Sequence, residues 1–198
     1  MIRVERDAGW EELRRLAKTM GPKFQVAWRA ALRREAEFLR KKIADGLRSG
    51  APGGKAFAPY SPLTVALGNA GKSPLAKLAP QIAVVPTVGG GLMIVVRGAG
   101  RGGMTNTDLA AIHQAGMEYT VTLTPRARRY LMAKMRERGI LQKAAREKGA
   151  GNGGVIRIKI PARPFVKPVL DAYAKPEQVG ERFIASVMKT MGGDFGRP

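Results

Sequence analysis

Between Pro22 and Leu47 the apolar residues Phe24, Trp28, Ala31, Leu32, Leu39, Ile43 and Leu47 return at helical spacing. Arg33, Arg34, Glu37, Arg40, Lys41 and Arg48 fall largely off that stripe. About 26 residues at 1.5 Å each make a rod of roughly 39 Å. Its apolar stripe has to be covered, so the fold is organised around it. Pro22 suits the first turn of such a helix, and Ser49-Gly50 with Pro52 ends it. Ahead of it, Trp10, Leu13, Leu16, Ala17 and Met20 mark a shorter amphipathic segment over 9–20.

The next thirty residues are of another kind. Ala51-Pro52-Gly53-Gly54 and the prolines at 59, 62, 74 and 80 block long regular elements. The same stretch carries Phe57, Tyr60, Leu63, Val65, Leu67, Leu75 and Leu78. Apolar residues in a segment that builds no core of its own predict an extended arm over 49–80, docked either on its own subunit or on a neighbour, with a neighbouring subunit or partner favoured.

Beyond the arm the pattern changes to strands. Ile82–Val85 and Leu92–Val96 read as a hairpin through Gly89-Gly90-Gly91, with Pro86 keeping the first strand short or at an edge. Residues 108–114 read as a short helix capped by Thr107, and Tyr119–Leu123 as a third strand. Thr124-Pro125 opens a basic helix reaching about Lys148. Val155–Ile160 alternates as a half-buried strand, and helices follow over 165–173 and 177–191. The expected fold is α+β: a small, mostly antiparallel sheet packed by the long N-terminal helix and shorter C-terminal helices. The chain divides as one domain over 1–198, with N-terminal helices at 9–48, the arm at 49–80, a sheet-and-helix core at 81–190 and a tail at 191–198.

Little in the chain points to catalysis. It has no cysteine and a single histidine, His113, which excludes thiolate chemistry and multi-histidine metal sites. Gly68-Asn69-Ala70-Gly71-Lys72-Ser73 has Ala66 where a phosphate-binding loop needs glycine, and Pro74 follows where its helix should propagate. Gly98–Gly103 does not match a dinucleotide fingerprint and reads as a loop. His113 has no nucleophile nearby in sequence, and a ring satisfied by backbone is expected. The reading is of a protein that is no enzyme, with no catalytic residues, metal or cofactor. The N-terminus has no apolar signal region, and no stretch reaches the roughly 20 apolar residues of a membrane helix. A soluble chain made in the cytoplasm, without a membrane partner, is expected.

Charge points to polyanions. The net charge is +20, and no acid occurs between Asp45 and Asp108. The basic helix carries Arg126, Arg128, Arg129, Lys134, Arg136, Arg138, Lys143, Arg146 and Lys148 against Glu137 and Glu147. Tyr130, Leu131, Met135, Ile140, Leu141 and Ala144 give it an apolar side. Arg126, Arg128, Arg129, Lys134 and Arg136 are the candidates for nucleic-acid contact; the bland alternative is a solvated face. Aromatics make up 6% of the chain and form no base-stacking platform, which argues against sequence-specific RNA binding.

Three short motifs remain, in a fixed order. They are Phe57, Pro59, Ser61, Pro62 and Thr64, with Tyr60 among them; then His113, Gln114 and Gly116; then Pro161, Arg163, Pro164 and Phe165. With a long helix before them and a hairpin between the first two, they resemble the tail-completion (virion morphogenesis) proteins of Mu-like and related tailed bacteriophages, over roughly residues 22–190. The resemblance implies a structural virion protein of the tail or neck, assembled in the host cytoplasm. It implies a homo-oligomeric ring, six-fold like the tail tube, at the head-proximal end of the tail. Its partners would be the tail tube or tail terminator and the head-connector proteins, with genome DNA passing through or near the ring. The alternative reading is a non-specific DNA- or RNA-binding protein that uses the basic helix.

The residues themselves favour scaffold roles for these motifs. Pro161 and Pro164 end a strand ladder rigidly, Phe165 can plug a seam between sheet and helix, and Arg163 can donate to carbonyls or a carboxylate. His113 and Gln114 can tie their turn to that exit.

Overall fold

A computed structural model of the protein describes residues 21–61, 64–65, 73–100, 103–137, 139 and 155–191. The rod is present as α1, Pro22–Ser49, 28 residues or about 42 Å long. Gly50 closes it at φ 77°, donating its N–H to the Gly46 carbonyl at 3.0 Å. A left-handed closing residue is a glycine's place, because a Cβ there meets the preceding backbone.

Two strands follow, β1 (Ile82–Pro86) and β2 (Leu92–Val96), paired antiparallel from Ile82↔Val96 to Pro86↔Leu92. Then come α2 (Asn106–Ala115), β3 (Met117–Thr122), α3 (Pro125–Glu137), β4 (Val155–Ile160), α4 (Val166–Tyr173) and α5 (Pro176–Thr190). β3 pairs antiparallel with β4, Met117↔Ile160 through Thr122↔Val155. The fold is α+β, as expected. Among the described residues, however, the four strands make two separate two-stranded ribbons, not one small sheet.

The packing explains the length of α1. Its C-terminal half contributes Ile43, Ala44 and Leu47 to the main core, with Leu75, Leu78, Ala79, Ile82, Ala110, Phe165 and Val169. Its N-terminal half contributes Ala27 and Ala31 to a second cluster with Val187 of α5, flanked by Phe24, Phe183 and Met191. Trp28 meets Phe183 edge-on at 4.5 Å between ring centroids. Across the same seam Arg182 grips Glu35 with both fork nitrogens, at 2.9 and 2.5 Å, and also donates to the Tyr173 carbonyl. The small alanines let α5 approach closely, and the fork fixes its register.

Of the two dockings open to the arm, the favoured one, on a neighbour, is not the one found. Over its described residues, 49–61 and 73–80 fold on their own chain. Pro52 is buried, and Leu75, Leu78 and Ala79 belong to the main core. Phe57 packs against that core and donates its N–H to Gly50 at 2.7 Å. Buried Ser73 donates its hydroxyl to the Leu47 carbonyl at 2.5 Å, satisfying an orphan acceptor at the end of α1. Thr64 and Val65 are helical, and short 3-10 turns at Pro52–Gly54 and Ala76–Gln81 bring buried residues of the stretch to the core. The core is therefore not confined to 81–190.

Two further expectations change. The cap of α2 is Thr105, not Thr107: Thr105 accepts from the Asp108 N–H, and Asp108 reaches back to the Thr105 N–H at 2.9 Å. Those bonds hold the Asp108 carboxyl below its usual pKa. Thr107 instead bonds the Val96 carbonyl at 2.9 Å, tying α2 to β2. The basic helix is described only to Glu137. Gly139 follows in a turn at φ 68°; the rest of the expected helix towards Lys148 lies outside the described residues, as do the segment at 9–20, the tail from 192 and residues 68–72.

Candidate functional site

The three motifs, each about fifty residues from the next, meet at one junction. Here α2 ends, β4 leaves its ribbon and the 55–60 strand of chain crosses both. Gly116 links α2 directly to β3 with φ 77° and ψ 161°, a region open essentially to glycine alone. A Cβ there would stand 2.9 Å from the Ala162 nitrogen and 3.1 Å from the Ile160 carbonyl oxygen. The close approach lets the chain after β4 lie against the end of α2.

Arg163 is the hub. Its side chain is buried, at 5% exposure. Its backbone N–H donates to the His113 carbonyl at 2.6 Å. Its guanidinium donates from Nε to the Ala58 carbonyl and from Nη2 to the Pro59 carbonyl, both at 3.1 Å. The fork thus clamps the first motif to the third, using carbonyls as acceptors. Burial lowers the Arg163 pKa, and the Tyr60 hydroxyl opposes that shift. Gln114 accepts the Val166 N–H at 3.4 Å, which ties α2 to the start of α4. Phe165, at 2% exposure, fills the main core beside α1. Ser61 caps the turn that follows, accepting the Thr64 N–H at 3.2 Å. Pro62 lies outside the described residues; Pro161 and Pro164 bracket the exit of β4 without being buried.

His113 departs from its expectation. Its carbonyl bonds Arg163, but its ring nitrogen Nδ1 is buried and has no hydrogen-bond partner among the described residues. Burial lowers the His113 pKa, and the Arg163 charge adds to the shift. The hydrogen bonds of the junction hold the three segments together. Among the described residues no group of three His, Cys, Asp or Glu is placed to hold a metal, and no described helix is long and apolar enough to cross a membrane.

The junction also aims a lobe away from the core. The register of β3 and β4 puts Met117, Tyr119, Val121, Ile156, Ile158 and Ile160 on one face, and Glu118, Thr120, Thr122, Val155, Arg157 and Lys159 on the other. The apolar face is only half covered: Met117 is 45% exposed and Tyr119 38%. An exposed ion pair, Glu118 to Arg157 at 2.9 Å, crosses the polar face. α3 follows the ribbon, and none of its residues is buried.

α3 divides the five candidate cations. At 100° per residue, Pro125, Arg128, Arg129, Met132, Ala133 and Arg136 share one face. With Leu123 they line an open groove of about 590 Å³. Arg126 and Lys134 point elsewhere, and Lys134 is paired with Glu137 at 2.7 Å. The sequence reading counted charge along the helix and missed the groove, although the spacing of 128, 129 and 136 carries the signal.

No family model matches the chain, and no curated protein and no solved structure matches it.

Proposed function

We propose that the protein is a structural component of a tailed-phage virion that acts by assembly. In this reading it completes the head-proximal end of the tail as a homo-oligomeric ring, six-fold like the tail tube, between the tail proteins and the head connector. The observation that carries the reading is the junction. The residues that resemble the tail-completion family, Phe57 to Pro59, His113 to Gly116 and Arg163 to Phe165, are brought together as one clamp. A shared clamp gives three motifs that lie far apart in the sequence one common structural role.

The ribbon supports an assembly role. An isolated two-stranded ribbon is marginal in water. This one exposes much of an apolar face, and no residue of α3 is fully buried. A neighbouring subunit that covers Met117, Tyr119 and Ile158 would supply the missing burial. Sedimentation of nuclease-treated protein tests the ring: a species at six times the monomer mass is expected, and a monomer at every concentration, with or without tails, rules it out.

A further inference from the structure

We propose that the groove along α3 is a phosphate-backbone site for a nucleic-acid duplex, carried by Arg128, Arg129 and Arg136. This inference does not rest on ring assembly, since it is read on the protein alone.

Three observations converge. First, the three arginines are exposed on one helical face, and among the described residues none of them makes an ion pair. The acid of this helix, Glu137, is turned to the flank and held by Lys134. Second, the spacing fits. From 128 to 136 the helix advances about 12 Å. One strand of a duplex carries a phosphate roughly every 3.4 Å of axis, so three or four phosphates pass that length. Third, all three are arginines, whose planar forks suit phosphate oxygens better than a lysine point charge does.

The groove favours a duplex over a single strand. Its floor, Leu123, Met132 and Ala133, offers no donor or ring to read or stack a base. The aromatic of the helix, Tyr130, lies off the groove face. Binding of this kind tracks backbone charge, is independent of sequence and weakens steeply with salt. The chain's net charge of +20 adds long-range steering towards such a partner.

The test is fluorescence anisotropy of short labelled duplexes, DNA and RNA in separate arms, with nuclease-treated full-length protein over about 50 to 200 mM salt. Arg128→Gln/Arg129→Gln/Arg136→Gln should lower the slope of log affinity against log salt by about 3, one unit per lost phosphate contact. The matched control, Arg29→Gln/Arg33→Gln/Lys41→Gln on exposed positions of α1, should leave the slope unchanged. Replacing the same three arginines by lysine should keep most of the slope, which separates charge from folding. Equal losses in the α3 and α1 variants would mean that net charge alone binds, and would overturn the site. So would an unbound wild type, or competition by polyglutamate as strong as by duplex at equal charge. The DNA and RNA arms tell which duplex is preferred.

Discussion

At Arg163 a guanidinium is buried against two carbonyls and, among the described residues, no carboxylate. Such a charge is held by its donors' geometry, so removing it strands the Ala58 and Pro59 oxygens. Arg163→Ala should cost about 3 kcal/mol in denaturant unfolding, and Arg163→Lys a large share of that, because a point charge cannot bridge both oxygens. Gly116→Ala should cost roughly 2 kcal/mol, since its backbone conformation excludes a Cβ and the space is taken by Ala162. His113 gives a pH signature. Its folded pKa lies below the ordinary 6.5, so the unfolded chain binds the proton more readily. The contribution is complete above about 6.5 and is lost as pH falls from there through the folded value. It is the one histidine in the chain, so His113→Gln should flatten the stability profile over that window. An unchanged profile would place the burial effect elsewhere. These roles were only partly legible. The motif residues announced a rigid exit and a donor at Arg163, but its acceptors are backbone oxygens of Ala58 and Pro59, and side-chain identity does not say which carbonyls a fork will meet.

At the scale of elements, periodicity was the most legible property. The stripe of α1 and the alternation of β4 gave their spans almost to the residue, because a single face is apolar along each. For segment 49–80 the sequence left two dockings open and favoured a neighbour, because its prolines describe only what it cannot be. Leu75, Leu78 and Ala79 reach the core beside tertiary contacts such as Ser73 with Leu47. Sheet partition was equally invisible: strand spans do not reveal whether four strands share one sheet or form two ribbons. The ribbon of β3 and β4 carries its own prediction. Ile158 sits opposite Tyr119 at the middle of the apolar face. Ile158→Glu should abolish higher oligomers in sedimentation while leaving the helical circular dichroism unchanged. Phe165→Ala, by contrast, should cost about 3–5 kcal/mol of stability, because that ring lies in the main core. Loss of fold in Ile158→Glu would mean that the ribbon face packs within the subunit.

At the scale of the molecule, α1 is the spine that joins a main core near its C-terminal end to a second cluster near its N-terminal end. The clamp around Arg163 then orients a lobe with an apolar ribbon face and an arginine groove. One proposed surface suits a protein neighbour and the other a polyanion, which is the division a ring around a DNA path requires. The central claim is that this chain completes phage tails, and the most direct measurement is negative-stain imaging of nuclease-treated protein with tails assembled without it. Rings alone, or new density capping the head-proximal end of the tail, are the predicted result. Tails that remain bare beside a protein that never rises above a monomer would contradict the claim.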